Sequence, residues 1–515
     1  MSTLTTGTPA AAAAAAATAT ATASGLRASW TAVFALAGFE ARRLLLRAPV
    51  LIAFAVYLGW TVWRARTSWD GFPALQDADR ATQNAPLLVG LAVLLCANQA
   101  VLRSRRHDTD RHLAVLVVQP WRRTVAHLLS VAAVALLAGV CVAGQFTWEA
   151  LKPGAVGHGS PGELLAGPLS VLLLGAFGVL LARLLASPAV APLLIVFLLF
   201  YLLLSPGPGN EGWARWLAPT VGENTSATLP SELLGRPAAW HALYLAGLAL
   251  SAALFAVLLS GGARLWTVRA GAAGAVALTL VGAVAQSQGV SRETTEARTR
   301  FSVTPEKEQR CAERDGTTYC AFPEWAARTD DWAEVLDGVR SLAGGAAQDR
   351  PLVVRQRVEA RYGLDIDAAI APAARPDEVT VGTAWGGNRV PEFAVAVAGV
   401  LVTGSEEELG AMCDGRMVTV VWLALAGRPD PMADLRRVRL DDSDVGSAIV
   451  LSQTQTLRMT AAHTEVVREL LRRPKEENAA KVKAHWSELT APEVTTDRAA
   501  RLLGLDAPEA KDECL

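Results

Sequence analysis

A few stretches of this 515-residue sequence hold residue types at spacings that chemistry uses. Gly207-Pro208-Gly209-Asn210-Glu211-Gly212 spells the GxGxxG of a dinucleotide loop. That loop works only between a strand and a helix whose amino end meets the pyrophosphate, whereas here it follows a long apolar run and contains a proline. Asp442-Ser443-Asp444-Val445-Gly446 starts like a calcium loop but lacks the third acid and the closing Glu, so it reads as an acidic turn. There is no GxxxxGK[ST], HExxH or GxSxG, which removes the phosphate-loop, zinc-peptidase and serine-hydrolase readings. With no nucleophile, base or ligand cluster standing out, the sequence does not read as an enzyme and implies no cofactor or metal.

Cysteine chemistry is better served. Cys96 and Cys141 fall in apolar runs, while Cys311, Cys320, Cys413 and Cys514 all lie in the last part of the chain. An even set suits disulfides in an oxidising compartment. Cys311 and Cys320 flank Asp315-Gly316, a turn signal that returns the chain on itself. Cys311–Cys320 is therefore the first expected pair and Cys413–Cys514 the second. Four unrelated buried thiols are the alternative; zinc is disfavoured because no CxxC pair or nearby histidine is present.

The elements that carry these residues follow from composition. At 51% hydrophobic and 19% charged, the chain is too apolar for an ordinary soluble enzyme. Its net charge of −1 hides a basic first part, net +8 over residues 1–290, and an acidic remainder, net −9. Residues 1–24 are Ala/Thr-rich, do not read as a signal peptide and are expected to be disordered. Residues 25–290 read as a membrane domain and 291–515 as an extracytoplasmic domain.

Leu26–Arg47 predicts an interfacial helix with Trp30, Val33, Phe34 and Phe39 on one side. Seven runs then approach the length of about 20 residues needed to cross a bilayer: Pro49–Trp63, Pro86–Leu102, Val125–Ala143, Leu164–Leu181, Ala189–Leu204, Trp240–Leu259 and the Ala/Gly/Val-rich Ala270–Ala285. With the amino terminus inside, the inner segments carry thirteen Lys/Arg and the outer ones six, as the positive-inside rule requires. The tail then lies outside. Asn98, Gln99 and Gln145 are the polar groups within the spans, read first as joining helices and second as lining a passage. No acid lies at the centre of a span, so an ion-gradient relay has no candidate.

The inner segment Arg103–Arg123 carries six arginines and a short apolar stripe, Leu113, Val115 and Leu116, stopped by Pro120. Arg111, His112 and that stripe form a surface that a soluble partner can push against. In the tail, helices are expected over Pro323–Ala343, Glu392–Val402, Glu406–Leu425, Ala461–Leu471, Glu476–Leu489 and Ala499–Leu505. Strand-like runs fall near Leu352–Val354, Val379–Val381 and Val438–Leu440. The fold class is thus an α-helical polytopic membrane protein of about six to seven transmembrane helices with a mixed α/β, mainly helical, C-terminal soluble domain.

Phe39-Glu40-Ala41-Arg42-Arg43-Leu44-Leu45-Leu46-Arg47-Ala48-Pro49, then Asp108-Thr109-Asp110-Arg111-His112-Leu113 and Gln119-Pro120-Trp121-Arg122-Arg123-Thr124-Val125-Ala126-His127, resemble the type 2 family of ABC-transporter permeases, especially its actinomycete members. The likeness covers residues 25–265. It implies an interfacial helix before six spans and a loop between spans two and three that docks a separate ATPase subunit. A seventh span and the long tail depart from that pattern; Thr318-Tyr319-Cys320-Ala321-Phe322-Pro323-Glu324 looks like an extracytoplasmic extension seen on some members. The expectation is a multi-pass plasma-membrane permease of an ABC exporter, in contact with membrane lipid and working as a homodimer or heterodimer. The alternative is a membrane-anchored sensory or binding protein. Nucleic acid is not an expected partner.

Overall fold

The computed structural model describes residues 30–67, 71–106, 119–204, 217–218, 220, 228–361, 370–441 and 448–513. A first helix, α1 (residues 30–45), packs Val33 and Ala37 against Ala126. Trp30, Phe34 and Phe39 are exposed instead. The expected single apolar side is therefore split, because at 3.6 residues per turn Phe39 lies about 180° around the helix from Trp30.

The bundle follows as α2 (Ala48–Thr67), α3 (Leu75–Ala81), α4 (Ala85–Arg106), α5 (Pro120–Ala150), α6 (Pro161–Leu184), α7 (Val190–Leu204), α8 (Ala238–Leu259) and α9 (Trp266–Gln286). Among the described residues six helical stretches are long and apolar enough to cross a membrane, α3 and α4 counting as one and α7 being the shorter exception. Lipid supplies no hydrophobic drive between helices, so close backbone approach has to hold them. A Cβ at Gly178 of α6 would stand 2.4 Å from the Leu94 carbonyl oxygen of α4, and one at Gly282 of α9 2.7 Å from the Tyr244 amide of α8. Only glycine permits these crossings.

The Gly/Ala-rich last span is thus a full-length helix, and the short one is Val190–Leu204. α7 lies on the chain's path between α6 and α8. The amino ends of α6 and α8 meet, with a Cβ at Gly162 falling 2.6 Å from the Ala238 carbonyl, and Ala166 packs on Tyr244 and Leu245. These two helices run parallel, so the chain has to return between them. The 15 residues of α7 supply about 22 Å of that return at 1.5 Å per residue.

The tail begins with α10 (Arg292–Val303) and builds a four-stranded sheet from β1 (Arg310–Arg314), β2 (Thr317–Ala321), β3 (Leu352–Gln356) and β4 (Glu378–Val381). Strands β1 and β2 are antiparallel, β2–β3 and β3–β4 parallel, with α11 (Thr329–Leu342) as the first crossover. Helices α12 (Arg389–Thr403), α13 (Glu406–Ala411), α14 (Arg416–Leu425) and α15 (Pro431–Val438) come next. A second, antiparallel sheet follows, of β5 (Arg439–Asp441), β6 (Ala448–Leu451) and β7 (Thr456–Met459). The chain closes with α16 (Ala461–Arg472), α17 (Lys475–Ala484), α18 (Trp486–Leu489) and α19 (Thr496–Leu502). Phe393–Val402 of α12 and Met417–Leu425 of α14 are buried on every side, as helices apolar all round must be.

Asp315 and Gly316 both take positive φ, 49° and 72°, the pairing a two-residue hairpin turn demands. That places Cys311 directly opposite Cys320, and the two are disulfide-bonded. Every residue of β1 is exposed, so this edge strand has little packing of its own. Replacing both cysteines by serine is expected to lower tail stability by roughly 2–3 kcal/mol, the loop-closure entropy of a ten-residue ring. Calorimetry of the full-length chain measures it; an unchanged Tm would show that the hairpin needs no staple.

Candidate functional site

The ends of the bundle are chemically different. At one end α1, the end of α4 and the start of α5 converge. Arg103 makes two bonds to the Glu40 carboxylate, 3.0 and 3.3 Å, and Arg47 donates to the Gln99 amide oxygen at 3.1 Å. Arg43, His127 and Ser130 complete a small cleft with these residues. Arg122 stacks over Trp121 at 5.2 Å, and Trp121 stands edge-on to Trp30 at 6.1 Å, so α1 is stitched to the start of α5. Between Arg106 and Gln119 runs the segment expected to bear the coupling surface. Arg111, His112, Leu113, Val115 and Leu116 lie outside the described residues; their flanks emerge at this arginine-rich end.

The intramembrane amides join helices. Asn98 of α4 donates to the Gly178 carbonyl of α6 at 3.2 Å, Gln99 holds Arg47, and Gln145 of α5 accepts from the Tyr57 hydroxyl of α2 at 3.2 Å. Each amide makes at least one bond to a neighbouring helix, as the joining reading expects, although the Asn98 side-chain oxygen is buried without a hydrogen-bond partner among the described residues.

The opposite end carries the tail. Ala74, Val156, Leu229 and Leu233, from three bundle connections, belong to the same apolar core as Phe322, Trp325 and Trp332 of the tail. Arg328, buried at the seam, donates to the carbonyls of Thr383, Phe72 and Gly154 and lies 5.8 Å from the Phe72 ring. Thr383 donates to the Thr228 carbonyl, Arg298 to that of Leu233 at 2.9 Å, and the Ser231 amide to Glu324 at 3.2 Å.

Just beneath this seam sits an ionic cluster that sequence reading missed. Arg236 bonds Asp79 at 3.3 Å and faces Glu163 at 3.6 Å, all three side chains nearly inaccessible. Asp79 also accepts from the Ser160 amide at 2.7 Å, Glu163 from Gln83, and Arg236 donates to the Gln76 carbonyl at 2.9 Å. Asp79 and Arg236 are 157 residues apart and no local pattern links them. Their rarity beside apolar runs was the available signal.

Within the tail, the buried titratable groups serve structure. Burial pushes the Glu406 carboxyl up, against the pull of the Ala373 and Thr380 amides and the Thr380 hydroxyl that donate to it at 2.6–2.9 Å. Burial likewise pushes the His463 imidazole down, opposed by the Asp512 and Asp414 carboxylates, while its ring closes a capping box with Thr460. Cys413 is disulfide-bonded, and Cys514 lies outside the described residues. Among the described residues no group of His, Cys, Asp and Glu is arranged to hold a metal ion. Comparison with protein-family models, characterised proteins and solved structures returned no match.

Proposed function

We propose that the chain is the permease subunit of an ABC-type exporter in the cell membrane, with its amino terminus cytoplasmic and its tail outside. It forms the translocation path as a dimer and takes mechanical work from a separate ATPase docked on Arg103–Arg123. The observation that carries this reading is the seam. One helix would suffice to anchor a domain, whereas here three bundle connections share a single core with the tail. Any movement of the helices at that end has to move the tail as well. Two further features support the reading. The segments expected inside carry thirteen Lys/Arg against six in those expected outside, and no acidic side chain stands in the middle of a described span, which leaves the energy to come from a partner.

The substitutions Leu113→Asp, Val115→Asp and Leu116→Asp leave every arginine in place and so preserve orientation. They are expected to weaken recovery of the ATPase by at least about tenfold in a pull-down from native membranes, since docking would then bury unpaired carboxylates in an apolar contact. Normal insertion with undiminished ATPase recovery would remove the coupling role from this stretch.

A further inference from the structure

We infer that the arginines at the mouth of the cleft between α1, α4 and α5, whose interior has room for little more than a water molecule, bind the phosphate headgroup of an anionic lipid. The inference stands apart from the transport reading, because it concerns a different set of atoms and would hold for any membrane role. The cleft is lined by Glu40, Arg43, Arg47, Arg103, His127 and Ser130, with Leu44, Ala97 and Ala100 as its apolar wall. Three guanidinium groups thus face one carboxylate. Glu40 is consumed by Arg103, whose Nε is buried and bonds no described residue. The carbonyl oxygen of the Gln99 amide takes one Arg47 donor but no charge, and Arg43 has no acidic partner among the described residues. Positive charge therefore remains over, and guanidinium groups match a phosphate in both charge and fork geometry.

Depth decides what kind of phosphate. The cleft is made by the last turns of α1, the last three turns of α4 and the second and third turns of α5, which is the boundary between apolar core and headgroups. Basic pockets between helices at this level are suited to anionic headgroups. The chain beside it is shaped for acyl tails: Leu46 is 62% exposed, and Leu51 and Ile52 at the start of α2 are also uncovered. A free phosphate would use the arginines and leave that apolar rim in water; an anionic lipid uses both.

The test is titration of the full-length protein in a neutral detergent with phosphatidylglycerol, phosphatidylcholine or inorganic phosphate, following thermal midpoint and the number of lipids retained by native mass spectrometry. Phosphatidylglycerol is expected to raise the midpoint and to be retained, phosphatidylcholine and millimolar phosphate to do neither. Arg43→Gln with Arg47→Gln should weaken phosphatidylglycerol binding about thirtyfold, roughly fivefold per arginine. Arg43→Gln alone, at an exposed side chain, supplies the fivefold step should the pair fold poorly. The matched loss of Arg64 and Arg66, at the far end of α2, should leave binding unchanged. Equal binding of phosphatidylcholine, equal protection by inorganic phosphate, or equal loss in the Arg64/Arg66 variant would each overturn the assignment.

Discussion

Arg328→Ala is expected to loosen the tail from the bundle and to cost roughly 3–5 kcal/mol. Arg328 is 1% exposed, and its guanidinium reaches carbonyls on three separated stretches of chain. Thr383 keeps a donor in the Trp325 indole, 2.8 Å away, so the loss falls on Phe72 and Gly154. Each is a bond to a charged donor, and each leaves a carbonyl short of its partner in a site that water does not readily fill. The missing side chain also opens a void against the Phe72 ring, which the surrounding core closes only in part. Arg328→Lys keeps the charge but not the fork, and is expected to recover less than half of the loss. Limited proteolysis at residues 287–291, with the thermal midpoint of the full-length protein, measures the release. A protease pattern and midpoint identical to the parent would mean that the apolar core alone holds the seam.

How much of this was legible in the sequence depended on how far apart the deciding residues are. The six long apolar helices were visible because crossing a bilayer needs only a long apolar run, whereas α7, read as a span too, is a helix of 15 residues and falls short of that length. The hairpin was visible too: Asp315-Gly316 supplies the turn and sets Cys311 opposite Cys320. Glu406–Leu425, expected as one helix, is two, α13 and α14. The Gly415 amide at the break bonds the Val494 carbonyl, and a Cβ at Gly415 would meet the Thr495 carbonyl. Helical propensity could not foresee that a segment so far along the chain would take this position. Strands β1 and β2 were missed as strands because neither carries a Val/Leu/Ile run like those of β3 and β4, and β1 buries nothing. The seam was out of reach for the same reason as the helix break. Arg328 and Phe72 are 256 residues apart, and an arginine in a tail gives no local sign that it will be buried among carbonyls.

Arg236→Met is expected to destabilise the protein by roughly 3–5 kcal/mol, because it strips the cation from two carboxylates that cannot reach water. The side chains of Asp79 and Glu163 are 1% and 3% exposed, and Arg236 is the basic partner the described residues offer both. The partners that remain after the substitution include the Ser160 and Arg80 amides on Asp79 and the Gln83 amide on Glu163, enough to orient the groups but not to neutralise them. The connection carrying Arg236 also carries Leu229 and Leu233 into the tail core, so the damage should reach the seam as lost protection of residues 228–237 in hydrogen exchange. A triple variant separates charge from packing. Asp79→Asn and Glu163→Gln added to Arg236→Met remove the whole ionic set, and neutral replacement of a buried ion cluster is commonly close to neutral in stability. The triple variant is therefore expected to regain most of the lost midpoint. If it stays as unstable as Arg236→Met alone, the guanidinium acts through its bond to the Gln76 carbonyl and its volume, and the electrostatic account of this cluster fails.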